Sequence, residues 1–290
     1  MRADIDEAIG LLKNGERHSL ERAIGLLQRS VFAFGMRVCG QRQDAEDTMQ
    51  EVLIKAIPYL PRFDNSKALT TWLYKVAKNR CLMSRRKSKF APHEELSLDE
   101  LMPDRKELER LQAPYGVGPA DAAIRRETAH RLREAVQKLP PHYRIILVLR
   151  DMEGFSDEEV SEITGLRPAT VRVRLHRARL FVRRQVMPGG RKEIRPPRKN
   201  GSAFSRPAPC RRMFAGLSDY LDGELDDFSC EEIETHLERC APCKTFLETL
   251  ERSIQQCRAN PPERLEPKRA AALRKELLGA YGRALAMGGK

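Results

Sequence analysis

The sequence predicts an all-α protein made of several small helical units, and three observations carry that expectation. Apolar residues recur at helical spacing through three long segments. No long alternating strand pattern competes with them, and two stretches rich in proline, glycine and charged residues separate them. At 290 residues the chain is long enough for more than one core. The divisions read as a unit over 5–87, a linker over 88–118, a unit over 119–186, a flexible basic linker over 187–209 and a unit over 210–286.

The formal net charge is +12. Residues 1–200 hold 39 basic and 27 acidic side chains, whereas residues 201–290 hold 14 of each, so a polyanionic partner belongs with the first two units. No apolar run approaches the roughly 20 residues that span a bilayer. The opening MRADIDEAIGLLKNGERHS lacks the apolar core of a signal peptide. A cytoplasmic location and no membrane partner are therefore expected. Seven cysteines in a reducing compartment favour metal ligation or redox chemistry over a disulfide framework.

In the first unit, DAEDTMQEVLIKAIPYLPRFD (44–64) is amphipathic, with Ala45, Met49, Val52, Leu53 and Ala56 facing inward. The following KALTTWLYKVAKNRCLMSRRKSK (67–89) sets Leu69, Trp72, Leu73, Val76, Ala77 and Leu82 on a core stripe. Lys75, Lys78, Arg80, Arg85, Arg86 and Lys87 make a basic face. Alone, that face is equally an ordinary solvated one.

In the second unit, a helix carrying Leu132, Val136, Leu139, Ile145, Ile146 and Leu149 supplies a supporting core. Ser156 and, three residues on, Glu159 form a capping box that starts a helix with Val160 and Ile163 as its apolar face. Gly165 permits a turn with positive φ, and Pro168 suits the first turn of the next helix. There Val171, Leu175 and Ala178 form a packing stripe, while Arg172, Arg174, Arg177 and Arg179 fall mainly elsewhere. Apolar anchoring with projecting cations is what a recognition helix in the major groove needs.

In the third unit, HLERCAPC (236–243) places His236 and Cys240 one helical turn apart, with Cys243 three residues on. Three such donors suit tetrahedral Zn²⁺, one ion per chain. The spacing leaves the fourth ligand open among Cys210, Cys230 and Cys257. Met213 to Glu251 carries 11 acidic and two basic residues, a surface complementary to the basic units.

These motifs resemble known families. L-P-x-x-x-R, L-R-D-x-E-G-x-S and V-R-x-R-L-H-R-A-R are similar to the promoter −35-binding domain of bacterial sigma factors of the extracytoplasmic-function type. The resemblance implies that Arg167, Thr170, Arg172, Val173 and Arg174 face the −35 element, with Arg177 on phosphate. D-A-E-D-x-x-Q-E-V, L-P-R-F-D and T-W-L-Y-x-V-A-K-N-R resemble the −10-binding domain of the same family. It implies core RNA polymerase contacts at Asp44, Asp47, Gln50 and Glu51, and a flipped base received by Phe63, Asp64 and Asn65. Lys75, Lys78, Asn79 and Arg80 would line the promoter DNA face. The segment from Cys210 to Cys243 resembles the zinc-containing anti-sigma domain, which implies Cys210 as the fourth ligand.

The whole reads as a sigma factor regulated by a fused zinc domain that contacts its own promoter-binding units. The rival is a metal- or redox-responsive helix-turn-helix regulator that never loads polymerase. A thiol oxidoreductase at Cys240 and Cys243 would need a βαβ context that the sequence lacks, so no enzyme is expected.

Overall fold

The computed structural model describes residues 2–13, 17–63, 65–84, 95–103, 122–186 and 208–288. The elements are α1 (Arg2–Lys13), α2 (Arg17–Cys39), α3 (Arg42–Ala56) running into a 3₁₀ turn (Ile57–Arg62), α4 (Ser66–Ser84), α5 (Leu98–Leu101) and α6 (Ala122–Lys138). Then come α7 (Pro141–Leu147), which continues into a π turn (Val148–Met152), α8 (Asp157–Thr164) and α9 (Pro168–Val186). The last are α10 (Ala208–Asp222), α11 (Asp227–Arg239), α12 (Ala241–Ala259) and α13 (Pro267–Gly288). Among the described residues there is no strand, as the helical spacing predicts. Asp64, Arg85, Arg86, Lys87 and nearly all of the 187–209 linker lie outside the described residues.

The chain forms two compact units, one of residues 1–92, 155–166 and 261–290, the other of 93–154 and 167–260. The two helices of the helix-turn-helix are thus shared out, α8 with the first and α9 with the second.

In the first unit α2 is the hub, touching α1, α3, α4 and α13. Gly35 sets its approach to α3: a Cβ there would stand 3.2 Å from both Cα and Cβ of Ala45. All five residues expected to face inward from α3 are buried. On α4 Leu69, Leu73 and Ala77 are buried, while Leu82 remains exposed near the helix end. Tyr74 lies edge-on between Phe34 and Phe155, with ring centroids 4.8 Å and 4.9 Å away. Although the cysteine usage favoured metal ligation or redox chemistry over disulfides, Cys39 and Cys81 are joined in a disulfide between α2 and α4. Their separation of 42 residues hid the pairing.

In the second unit α9 is the hub, touching α5, α6, α7, α10 and α12. The arginine of L-P-x-x-x-R has a structural task. Arg144, buried, donates to the carbonyls of Val136 (3.0 Å), Leu139 (2.8 Å) and Gln137 at the end of α6. It thereby satisfies acceptors that a helix terminus leaves unpaired. Phe214 of α10 and Phe246 of α12 meet edge to face at 4.7 Å and are fully buried, each contributing about 1.5–3 kcal/mol of apolar burial.

Candidate nucleic-acid interface and metal centre

On α4, Lys75 and Asn79 are exposed and Arg80 is half-buried. Arg80 Nε lies 2.7 Å from the Glu51 carboxylate, which Lys55 also grips at 2.7 Å. The Lys55 hydrogen bond, with Arg80 beyond it, holds the Glu51 carboxyl below its usual pKa. Asn65 caps the first turn of α4, its Oδ1 accepting from the Ala68 N–H at 2.8 Å. Phe63 and Trp72 face one another at 6.2 Å and line a cleft of about 440 Å³ with Asn65, Lys67, Ala68, Thr71, Lys75 and Glu162. Lys78 departs from the expected cationic face. It is buried, and its Nζ donates to the carbonyls of Ile163 (2.9 Å) and Thr164 (3.4 Å).

The capping box of α8 is complete, with Ser156 Oγ accepting from Glu159 N and Glu159 Oε2 accepting from Ser156 N at 2.8 Å. Gly165 takes φ +76° as the turn requires. On α9, Arg167 and Val173 are exposed, and Thr170, Arg172, Arg174 and Arg177 are half-buried. Arg172 is 3.8 Å from Glu224. Arg179, expected with the projecting cations off the packing stripe, is instead part of the core, and the burial of Arg183 and His176 was not anticipated from the sequence. Arg179 is fully buried between Asp151 (2.6 and 2.9 Å) and Asp222 (2.7 and 2.9 Å). Burial disfavours its charge, but the two carboxylates outweigh that and raise its pKa. Arg183 donates to Thr249 Oγ1 at 2.8 Å and stacks over the Phe246 ring at 3.6 Å. His176 meets the Ser218 hydroxyl at 2.8 Å, and burial, together with Arg179 and Arg177, lowers its pKa to about 4. Of these partners only Asp222 is one of the acids in the stretch from Met213 to Glu251 that the sequence shows, and no local pattern announces the register.

On α3, Asp44, Gln50 and Glu51 are half-buried and Asp47 is exposed. Helix α13 lies against α2, α3 and the 3₁₀ turn, with Leu273 and Leu277 buried. Gln50 Nε2 donates to Glu276 at 3.0 Å, Arg269 donates to Glu46 at 2.9 Å, and Gln28 donates to the Ala270 carbonyl at 3.1 Å. The α3 surface that this helix covers lies 223 and 226 residues away in sequence at these contacts, and no local pattern announces it.

The donor atoms of Cys210, His236, Cys240 and Cys243 all lie within 4.8 Å of one another. Cys210 comes from α10, His236 from α11, Cys240 from the junction of α11 and α12, and Cys243 from the first turn of α12. Cys210 Sγ is 3.6 Å from His236 Nε2. Burial, followed by contact with Cys240 and the nearby Cys210, pushes the Cys243 thiol up, while burial lowers His236. The set fits a zinc ion: a tetrahedron with legs of about 2.3 Å has edges of about 3.8 Å, and only a cation makes so close a group of thiolates favourable. Cys230 and Cys257 are not part of the cluster.

Residues 24–90 match the family model "Sigma-70 region 2", residues 129–182 match "Sigma-70, region 4", and residues 216–244 match a "Putative zinc-finger". These matches define the class as a sigma-type, DNA-binding transcription initiation factor with a zinc-finger segment behind it. The chain is 28% identical over 182 residues to the ECF RNA polymerase sigma factor SigW of Bacillus subtilis (strain 168), covering 63% of this chain and 96% of that protein. It is 26% identical over 184 residues to the RNA polymerase sigma-H factor of Pseudomonas aeruginosa, covering 61% and 91%. It is 29% identical over 160 residues to the ECF RNA polymerase sigma factor SigE of Mycolicibacterium smegmatis, covering 53% and 56%. The chain thus carries segments that match sigma-70 regions 2 and 4, and the relatives it resembles are RNA polymerase sigma factors, two of them of the extracytoplasmic-function type. Its function is promoter recognition and transcription initiation.

Proposed function

We propose that the chain is a cytoplasmic sigma factor held in check by its own C-terminal region, with one zinc ion organising that region. Residues 5–87 take core RNA polymerase through Asp44, Asp47, Gln50 and Glu51. They take the −10 element through Phe63, Asp64 and Asn65 and the cations Lys75, Lys78 and Arg80, with Asn79 beside them. Residues 119–186 take the −35 element through Arg167, Thr170, Arg172, Val173, Arg174 and Arg177. Residues 210–286 supply the regulator, joined to these by the basic linker 187–209. Extruding a base costs a few kcal/mol, which an aromatic cleft and cationic phosphate contacts offset without nucleotide hydrolysis. Cys210, His236, Cys240 and Cys243 would hold zinc, which fixes the crossing of α10, α11 and α12. Among the described residues no helix is long and apolar enough to cross a membrane.

The observation that carries the regulatory reading is Glu276 of α13 on Gln50, a predicted polymerase contact. Glu224 on Arg172 makes the same kind of engagement with the recognition helix. The test is run-off transcription by core polymerase with the full chain, zinc-loaded or carrying Cys240→Ser with Cys243→Ser. The expected result is promoter-specific initiation that rises when the quartet is broken. Duplex binding without any initiation, in either form, would return the chain to the helix-turn-helix regulator class.

A further inference from the structure

Helix α8 is conventionally the supporting half of a helix-turn-helix, yet here it packs on α4, within the unit that carries the −10 face. Three contacts hold it there. Phe155, just before the helix, lies against Tyr74 of α4. Lys78 is 8% exposed and spends its ammonium on the Ile163 and Thr164 carbonyls, at the helix end where the backbone dipole is negative. Glu162 stands in the wall of the cleft made by Phe63, Asn65, Trp72 and Lys75. Glu162 therefore stands where a flipped base would enter beside Lys75, and a negative helix terminus stands on Lys78 where a DNA phosphate would bind.

We propose that α8 is an internal stand-in for −10 DNA: single-stranded promoter DNA reaches the Phe63–Trp72 cleft and Lys78 only after α8 has lifted from α4. This rests on the reading of α4 as the −10 face and adds a second lock, separate from residues 210–290. Burial of Lys78, with Lys75 next to it, lowers the amine's pKa in the locked arrangement.

The test uses the full chain and a labelled random single strand of about 12 nucleotides, read by fluorescence anisotropy. Glu162→Arg and Glu158→Arg change the charge of the same helix equally, but only Glu162 lines the cleft, and both side chains are exposed. If the locked arrangement outweighs the open one by about ten to one, Glu162→Arg tightens binding about tenfold, Glu162→Gln less so, and Glu158→Arg by no more than about twofold. Hydrogen exchange in residues 157–164 should also quicken when the parent protein binds the strand. Equal gains for the two arginine variants, no gain for either, or α8 amides still protected with DNA bound would each overturn the proposal. Failure of the sigma reading itself would instead show as absent initiation with core polymerase, whatever these variants do.

Discussion

Two basic helices, α4 and α9, read alike in sequence, and the structure treats their cations differently. On α4 the buried cation, Lys78, is met by neutral acceptors, two carbonyls at the end of α8. On α9 the buried cation, Arg179, is met by two carboxylates. A lysine on carbonyls can be released at modest cost, because water replaces what the carbonyls supplied. A guanidinium forked across two buried acids cannot, since its removal leaves charge behind in a dry place. Arg179 therefore belongs to the fold of the second unit, and Lys78 is a cation available to change partner.

The sharpest way to break this comparison is Arg179→Met. It strands Asp151, whose side chain is fully buried, and should cost about 3–5 kcal/mol in denaturant unfolding. A loss below about 1 kcal/mol would put Arg179 among the exchangeable cations.

The pH dependence of the same neighbourhood comes next. The pKa of His176 falls from about 6.5 unfolded to about 4 folded, so the native state binds fewer protons between those values. Its contribution is complete above pH 6.5 and is lost as pH falls toward 4, in total about 3 kcal/mol. Thermal unfolding of the parent and of His176→Asn at pH 7 and pH 4.5 checks this. The variant should show the shallower fall, the zinc ligands being common to both.

Lys78→Met should cost less, below about 1.5 kcal/mol, because only helix-end carbonyls lose a partner. Calorimetry of parent and variant would measure it, and a loss near that of Arg179→Met would erase the distinction between the two helices. Smallest for stability is Arg172→Ala. Its pairing with Glu224 is exposed at 3.8 Å, so unfolding should shift by less than about 1 kcal/mol. Binding of a −35 duplex should nevertheless weaken by about 1–3 kcal/mol, selectively for sequence.

The apolar stripes were legible because helical periodicity is local: Val160, Ile163, Val171, Leu175 and Ala178 are all buried where the spacing put them. The capping box and the turn at Gly165 were legible for the same reason. The quartet was legible down to three ligands from His236, Cys240 and Cys243, and the likeness to a known domain supplied Cys210 as the fourth. The fate of each cation was not legible. Arg179 meets acids 28 and 43 residues away, and Lys78 meets carbonyls 85 and 86 residues on, separations that no local pattern encodes. The same holds for Cys39 with Cys81, and for α13, whose contacts on α3 lie 223 and 226 residues away in sequence.

The central claim is that the C-terminal region covers the surfaces by which this sigma factor works. Its most direct measurement is promoter-specific initiation by core polymerase with the parent chain and with Arg269→Glu combined with Glu276→Arg, which sets like charges together at Glu46 and removes the carboxylate that Gln50 donates to. The account predicts several-fold more polymerase bound and more transcript from the variant at equal protein concentration. Equal polymerase binding and equal transcript from the two proteins would contradict it.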